Sequence, residues 1–301
     1  MAIIEASHIV KNFSGMCAVN DVSFSIDKGE IFGLLGPNGA GKTTCIRILL
    51  DIFKPDSGEV RILGGPMTEI KKNNIGYLPE ERGLYQDIQL ERCLTYLATL
   101  KGLSSTTARK RVLEYLERFN LLDYRYKKLK ELSKGMQQKA QLIVTLVHEP
   151  EVIIIDEPFS SLDPVNTQMV KDLLIEERQR GKVILMCTHQ MHQVEELCDR
   201  IILINQGKTL LYGKLEDIRH TFTTNDILVR APQGLPSFIQ GVQKMESING
   251  TTRLVLNSGI NSQLVLQELV KQNIYLEHYE IAVPNLDEIF IRVVQGGGEG
   301  L

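Results

Sequence analysis

The sequence has little of what a disulfide framework or a membrane anchor requires. Its five cysteines are odd in number and form no CxxC pair, so a disulfide framework is not expected and a reducing compartment is favoured. Its strongest apolar runs, VIII at 152–155 and IILI at 201–204, are far shorter than the roughly 20 residues of a membrane-spanning helix. Glu5 interrupts the N-terminus before the apolar core of a signal peptide could form. We therefore expect no segment that crosses a bilayer.

An excess of charge of one sign is also missing. The net charge is −3, and the contents of 43% hydrophobic and 24% charged residues are ordinary for a globular protein. Without a basic excess the whole chain gives no reason to expect direct binding to nucleic acid. A length of 301 residues is enough for one large α/β domain and a smaller one.

Strand and helix patterns alternate through residues 1–220, which we expect to form the first domain. β-rich segments fill residues 1–35, and the stretch from about 87 to 148 repeats Leu, Tyr and Phe at helical spacing, which predicts a helical subdomain. Apolar strands are predicted at EIFGLL (30–35), EVIIID (151–156), KVILMCTH (182–189) and RIILINQGK (200–208). Strands that alternate with helices favour a parallel sheet buried on both faces.

Residues 221–301 follow a different pattern and are predicted to form an accessory α+β domain. A strand at 226–231, a helix at 235–243 and a hairpin around Asn249-Gly250 are followed by a helix at 261–272, a strand at 274–283 and a helix at 284–294. The predicted order β-α-β-β-α-β is that of a ferredoxin-like unit.

A phosphate-binding loop is predicted between the first apolar strand and the helix after it. The segment GPNGAGKTT fits GxxxxGK[ST], in which backbone N–H groups and a helix N-terminus bind phosphates. Lys42 would contact the β- and γ-phosphates, and the Thr43 hydroxyl would bind Mg²⁺. The predicted nucleotide-binding residues are Gly36, Pro37, Asn38, Gly39, Ala40, Gly41, Lys42, Thr43 and Thr44.

Two further strands end on residues suited to phosphate chemistry. Asp156 ends EVIIID, where it could hold Mg²⁺ through water, and Glu157 beside it could accept a proton from an attacking water. His189 ends KVILMCTH and is interpreted as a contact to the γ-phosphate. The alternatives are capping carboxylates for the two acids and a structural role for the histidine.

The segment LSKGMQQK at 132–139 is polar but contains no acid, histidine or cysteine, so it carries no group that cleaves a bond. Taken alone, it is typical of a solvated turn that caps the following helix. That interpretation does not explain its presence together with the other motifs.

In their order, GPNGAGKTT, LPEE, LSKGMQQK, EVIIIDEP, SSLD and TH make residues 3–215 resemble an ATP-binding subunit of ABC transporters. The YLPEERGLY stretch and the PNLDEIFIRVV ending are similar to a narrower group, bacterial exporter ATPases with an extra C-terminal domain. The resemblance implies ATP and Mg²⁺ as cofactors and hydrolysis catalysed by Lys42, Glu157 and His189. It also implies a homodimer or a paired subunit, together with separate transmembrane permease subunits. This chain would then be cytoplasmic and bound to the inner face of the cell membrane.

The resemblance assigns roles to further residues. In this family the signature segment faces the nucleotide of the other subunit, which here implies trans ATP contacts by Ser133, Lys134, Gly135 and Met136. Phe13 stands where the family stacks an aromatic ring on adenine, although it is also an ordinary strand residue. Asp163 in SSLDP would lie at the dimer interface, and it is equally suited to capping the next helix.

Two positions depart from the family pattern. LSGGQ appears here as LSKGM, with Lys134 and Met136 in place of Gly and Gln. Glu80 stands where the family has a metal-contacting Gln. A carboxylate binds Mg²⁺ more strongly than an amide but repels the γ-phosphate, and the resemblance implies a metal contact for Glu80 at this position.

Other functions remain open on the sequence alone. A soluble ABC ATPase acting on nucleic acid or ribosomes would need a coiled coil or a second cassette, and residues 45–131 contain no sustained heptads. A non-catalytic nucleotide sensor would not need Glu157. The C-terminal domain could dimerise, regulate or brace the cassette, and the transported substrate is not encoded in these motifs.

Overall fold

The computed structural model describes residues 2–81, 83–224, 226–248, 250–257 and 259–295. The chain divides into two compact units, Met1–Leu215 and Glu216–Leu301, whereas the sequence suggested a boundary after residue 220. The division lies at the junction of the strand Lys208–Lys214 and the helix Leu215–Phe222, which follow one another without a loop. Among the helices described, none combines the length and apolar character that crossing a membrane requires.

The first unit contains two sheets. Its strands are β1 (Ala2–Phe13), β2 (Met16–Asp27), β3 (Ile31–Leu35), β4 (Ser57–Ile62), β5 (Ile75–Leu78), β6 (Val152–Asp156), β7 (Val183–Cys187), β8 (Arg200–Asn205) and β9 (Lys208–Lys214). The larger sheet has the order β5-β6-β7-β3-β8-β9 and is parallel except for β9. All residues of β3, β6 and β7 are buried, as is typical of parallel strands covered on both faces.

The smaller sheet of this unit is antiparallel, in the order β2-β1-β4. Its inner face shares one core with the larger sheet. Ile4, Ile9 and Phe24 from the small sheet belong to the same buried cluster as Phe32 and Ile154 from the large one. This cluster fixes the N-terminal β-rich segment against the strand that leads into the phosphate-binding loop.

The helices of the first unit are α1 (Lys42–Leu49), α2 (Glu69–Lys72), α3 (Leu90–Leu100), α4 (Ser105–Arg118), α5 (Lys134–Leu146), α6 (Pro164–Gln179) and α7 (Met191–Leu197). Helices α3, α4 and α5 lie in the stretch 87–148 for which a helical subdomain was predicted. Ser104 and Ser133 cap α4 and α5, each accepting a 3.2 Å hydrogen bond from a backbone N–H in the first turn.

The second unit contains α8 (Leu215–Phe222), β10 (Ile227–Arg230), β11 (Val242–Ile248), β12 (Thr251–Leu256), α9 (Ser262–Lys271), β13 (His278–Ile281) and α10 (Leu286–Gln295). Its antiparallel sheet has the order β11-β12-β10-β13, which is the strand order of a ferredoxin-like fold. Strands β11 and β12 form the predicted hairpin, although Asn249 of the expected turn lies outside the described residues.

The helix predicted at 235–243 is wrong. Residues 235–241 form no regular element, and β11 begins at Val242. Gly234 and Gly241 have φ angles of 82° and 89°, in the left-handed region where helices end. The interval between them is shorter than two helical turns and includes Pro236, so it is too short for a stable helix. The strand order of the sheet is ferredoxin-like, but the first helix of the predicted β-α-β-β-α-β sequence is replaced by an irregular connection between β10 and β11.

Candidate functional site

The phosphate-binding loop runs from Gly36 to Gly41, between the end of β3 and the start of α1. Two of its glycines are required by close backbone approaches at positive φ. A Cβ atom on Gly36 (φ 150°) would lie 2.1 Å from the Ile204 carbonyl oxygen, and one on Gly41 (φ 108°) would lie 2.4 Å from that of Ala18. Larger residues at these positions would push the loop away from β8 and β2.

Lys42, the first residue of α1, folds back over this loop. Its Nζ donates hydrogen bonds to the carbonyl oxygens of Gly36 at 2.8 Å and Pro37 at 3.0 Å. An ammonium group has three donors, so one remains for a phosphate oxygen. Because the helix N-terminus adds its own unpaired N–H groups and positive end, Lys42 lies where an anion is favoured.

The strand register aligns the other predicted residues with this loop. In the parallel pairs, Leu34 of β3 is opposite Cys187 of β7, and Cys187 is opposite Asp156 of β6. Ile155 is in turn opposite Leu78 of β5. The carboxyl ends of β3, β7, β6 and β5 therefore form one edge of the sheet, which we call the catalytic edge. It carries the phosphate-binding loop, His189, the Asp156–Glu157 pair and Glu80.

Asp156 is the buried acid of the catalytic edge, with 3% of its surface exposed. Burial raises the pKa of its carboxyl, and the Glu80 and Glu157 carboxylates raise it further, whereas a hydrogen bond with Cys187 and the Lys42 charge lower it. A buried carboxylate near two others is stabilised by a cation beside it. The surroundings of Asp156 thus suit a bound metal ion.

Glu157 lies just beyond the end of β6, and its carboxylate is held by residues that follow β7. Its Oε1 accepts hydrogen bonds from the His189 backbone N–H at 2.9 Å and from the His189 ring Nδ1 at 2.7 Å. Its Oε2 accepts a 3.1 Å hydrogen bond from the Thr188 hydroxyl. The structure therefore brings Glu157 and His189 into direct contact, while most of the imidazole remains exposed.

Thr188 is a residue of this site that the sequence interpretation passed over. It is fully buried, and its hydroxyl donates to Glu157 while accepting a 3.1 Å hydrogen bond from the Gln190 backbone N–H. The available signal was its position beside His189, at the end of a strand that adjoins the acidic pair. A hydroxyl there can orient a carboxylate without contacting substrate.

Magnesium would be bound through the nucleotide and not by a cage of side chains. No three His, Cys, Asp or Glu side chains converge as metal ligands within the described ranges. Glu80 is exposed beyond the end of β5, and its charge contributes to the raised pKa of Asp156. Mg²⁺ commonly takes one or two protein ligands together with substrate phosphates and water, which fits the Thr43 hydroxyl and Asp156.

Phe13 ends β1 and is 37% exposed. Its ring packs edge-on against Phe53 at a centroid distance of 5.3 Å, and Lys11 Nζ lies 5.5 Å from its centroid. Because more than a third of its surface is exposed, Phe13 remains accessible to a ligand.

The signature residues lie at the start of α5, and Gly135 packs against the loop that follows Glu157. Ser133 caps α5 through the Met136 N–H, so that amide is already hydrogen-bonded. Lys134 is exposed, and Gly135 packs so closely that a Cβ atom would lie 2.9 Å from the Ser161 carbonyl oxygen. The capping interpretation of LSKGMQQK therefore describes its arrangement within one chain.

Asp163 is the N-cap of α6 and precedes Pro164, which occupies the first helical position. Its carboxylate accepts hydrogen bonds from the Asn166 backbone N–H at 3.0 Å and from the Asn166 side-chain amide at 2.5 Å. These bonds lower the pKa of Asp163. The side chain is exposed, so capping leaves it accessible to another chain.

Comparisons with known proteins agree with this architecture. Residues 19–160 match the ABC transporter family, and residues 213–294 match the C-terminal domain of DrrA1-3-like ATP-binding proteins. The chain is 38% identical to the ABC transporter ATP-binding protein YhaQ of Bacillus subtilis, over 97% of this chain and 98% of the relative. It is 29% identical to the linearmycin resistance ATP-binding protein LnrL of the same organism, over 97% and 98%.

Among solved structures, an ATP-binding subunit of an ABC transporter aligns with a TM-score of 0.69 and 31% identity. The alignment covers 73% of this chain and 93% of the other. The predicted α/β fold of the first domain is thereby confirmed.

Replacing Thr188 tests whether its hydroxyl orients Glu157. Thr188→Val keeps the branched shape but removes the donor to Oε2, and we expect kcat for ATP hydrolysis to fall by up to about 100-fold, the cost of a misplaced catalytic group. KM for ATP should change little, because Thr188 lies beside Glu157 and not beside Lys42. Thr188→Ser, which retains the hydroxyl, is the control and should keep most activity. Equal losses in both variants would contradict the orienting role.

Proposed function

This chain belongs to the family of ABC transporter ATP-binding proteins, and from that premise we propose that it binds and hydrolyses ATP with Mg²⁺ as a homodimer. Hydrolysis would drive export through separate membrane subunits. The observation that carries the proposal is the catalytic edge, where Lys42, Asp156, Glu157 and His189 lie at the ends of three neighbouring strands, β3, β6 and β7. The match to the ABC transporter family and to YhaQ favours this function over an ATPase that acts on nucleic acid or ribosomes.

In the proposed reaction, the loop amides and the free donor of Lys42 bind the β- and γ-phosphates. Mg²⁺, held by the Thr43 hydroxyl and by Asp156 through water, would neutralise the developing negative charge on the phosphates. Glu157 is the general base that accepts a proton from the attacking water. Its two oxygens are oriented by Thr188 and His189, so the base does not have to be ordered when ATP binds.

His189 has a restricted way of contacting the γ-phosphate. A carboxylate only accepts hydrogen bonds, so the ring nitrogen that faces Glu157 Oε1 must carry a proton. In a neutral imidazole Nε2 then only accepts hydrogen bonds. A phosphate oxygen is also an acceptor, so the two atoms cannot form a hydrogen bond with each other. A γ-phosphate contact therefore requires either the imidazolium form or a ring that has turned away from Glu157.

The signature residues would act on the ATP of the second subunit. Ser133 accepts a hydrogen bond from the Met136 N–H, which leaves its hydroxyl proton free to donate to a phosphate. Lys134 at the start of α5 would add a positive charge to the same contact. Phe13 would stack on the adenine, and Asp163 would lie at the interface between subunits.

Membrane subunits would dock on the helical subdomain, so the protein would act at the inner face of the membrane. The sequence interpretation placed the docking surface near residues 80–87 and the helical segment after them. An open groove of about 440 Å³ lies in that segment. It is lined by Gln89, Glu91, Arg92, Thr95, Tyr96, Thr99, Ser105, Arg109 and Tyr126. Tyrosine and arginine are enriched at protein interfaces, which supports this assignment.

Glu157→Gln tests the general base. The variant keeps the shape of the side chain and all contacts of Lys42, so it should bind ATP normally. Loss of a general base typically lowers kcat by 10²- to 10⁴-fold, and ATP-loaded dimer should accumulate on a sizing column. Turnover at the wild-type rate would remove Glu157 from the mechanism.

Glu80→Ala tests the proposed metal contact. If Glu80 acts through Mg²⁺, hydrolysis should weaken while ATP affinity measured in EDTA stays nearly intact. Glu81→Ala is the matched control, since it removes a neighbouring exposed carboxylate. Equal losses of affinity with and without Mg²⁺ would instead indicate a role in folding.

Mixing two inactive variants tests the trans arrangement. Lys42→Ala and Ser133→Arg should each be nearly inactive as homodimers, because both of their sites carry a lesion. In a mixed dimer one site combines the two lesions and the other is intact, so mixing should restore ATPase activity. ATP-dependent dimerisation of the mixture is the second readout, and it applies if a single intact site cannot hydrolyse ATP. With chain exchange confirmed, no recovery in either readout would contradict the trans contact.

A further inference from the structure

Helix α5 buries a stripe of polar side chains. Gln138, Gln141 and Thr145, spaced three and four residues apart, share one face and are 3%, 4% and 2% exposed. Burying an amide or a hydroxyl is costly unless it finds hydrogen-bond partners. An apolar side chain would be less costly to bury on this face of the helix, so the polar residues at these positions need a specific explanation.

The two glutamines donate to backbone carbonyls near the catalytic edge, whereas the Thr145 hydroxyl donates to the Gln141 carbonyl of its own helix at 2.9 Å. Gln138 Nε2 donates to the Glu157 carbonyl at 3.3 Å and to the Pro158 carbonyl at 3.2 Å. Gln141 Nε2 donates to the Glu81 carbonyl at 3.3 Å, and Thr145 Oγ1 lies 3.4 Å from that of Tyr77. The stripe thus connects α5 to the segments that carry Glu157 and Glu80.

The backbone of Glu157 needs such support. Its φ angle of 52° lies in the left-handed region, which is unfavourable for a residue with a side chain and persists only where the surroundings impose it. On one side its N–H donates to the Cys187 carbonyl at 2.8 Å. On the other side the Glu157 carbonyl accepts hydrogen bonds from the Ser160 N–H at 3.2 Å and from Gln138 Nε2 at 3.3 Å. Gln138 is therefore one of the groups that hold this conformation.

The same helix also contacts the far end of the loop that begins at Glu157. Gly135 packs against Ser161, and Lys139 Nζ donates to the Asn166 side-chain oxygen at 3.3 Å. Asn166 in turn bonds to Asp163. Residues 135–139 therefore contact the segment 157–166 at its start, its middle and its end.

We propose that Gln138 is a positioning residue for Glu157. It fixes the backbone of the base relative to α5, whose N-terminal Ser133 is assigned above to the ATP of the other subunit. A change in the position of α5 on contact with that ATP is thereby passed to the base of its own chain. The inference rests on the proposed role of Glu157 as the general base.

A double-mutant cycle with the full chain tests the proposal. Gln138→Leu removes both hydrogen bonds to the loop, and we expect kcat to fall roughly 10- to 100-fold, as a misplaced catalytic group would cause. KM for MgATP and ATP-dependent dimerisation should stay close to wild type. In the Glu157→Gln background, Gln138→Leu should change the residual kcat by less than about twofold, because the base it positions is already gone.

Gln137→Leu is the matched control. Gln137 is the adjacent glutamine of the same helix, and its amide also donates to two carbonyls, those of Leu129 and Leu132, at 3.0 and 3.1 Å. These carbonyls belong to the segment before α5 and not to the Glu157 loop. Gln137→Leu should therefore change kcat by the same factor whether residue 157 is Glu or Gln.

The outcomes separate this inference from the proposed function. If Glu157→Gln itself turns over normally, the general base is wrong. If Glu157→Gln is impaired but Gln138→Leu has wild-type kcat, or lowers kcat equally with and without Glu157, the positioning role is overturned. Should Gln138→Leu fail to fold, Gln138→Met, an unbranched chain of similar length without the amide, takes its place in the same cycle.

Discussion

The chemistry of this protein depends on the register of four parallel strands. Cys187 lies opposite both Leu34 and Asp156, and Ile155 lies opposite Leu78, so the strands end level with one another. A shift of one residue would reverse the direction of every side chain in a strand and move Asp156 away from Lys42. Since the strands are held by burial of apolar side chains on both faces, the hydrophobic core and the site are stabilised by the same packing.

Glu157 stands just outside that regular arrangement. A left-handed conformation costs a residue with a side chain about 1–2 kcal/mol. It is offset by hydrogen bonds to the Glu157 backbone, which typically contribute about 0.5–1.5 kcal/mol each. The carboxylate is fixed separately, by Thr188 and His189. The end of β7 thus contributes to both the backbone and the side chain of Glu157, whereas the hydrogen bond from α5, through Gln138, goes to the backbone.

The motifs predicted the residues of the catalytic edge because their spacing and residue types are tied to phosphate chemistry. Thr188 and Gln138 lie within the motifs TH and LSKGMQQK, but the motifs did not indicate what their side chains contact. Their partners include backbone carbonyls and a carboxylate distant in sequence, and every residue offers a carbonyl, so residue type alone does not identify the acceptor. The helix predicted at 235–243 failed for a related reason, since its apolar spacing was helical while the flanking glycines fixed a different backbone.

Lys134 bears on both the local role of the signature segment and its proposed role between subunits. A positive charge in the first turn of a helix is unfavourable, because it faces the positive end of the helix dipole. The first turn of α5 contains no acid to compensate. Within a single chain Ser133 supplies a good cap while Lys134 weakens the same helix start. If the ATP of a second subunit lies there, as proposed above, its phosphates would interact favourably with Lys134, with the helix N-terminus and with the free Ser133 proton. The segment is then less stable in the isolated chain than in the ATP-bound dimer, which favours closure of the two subunits only when nucleotide is present.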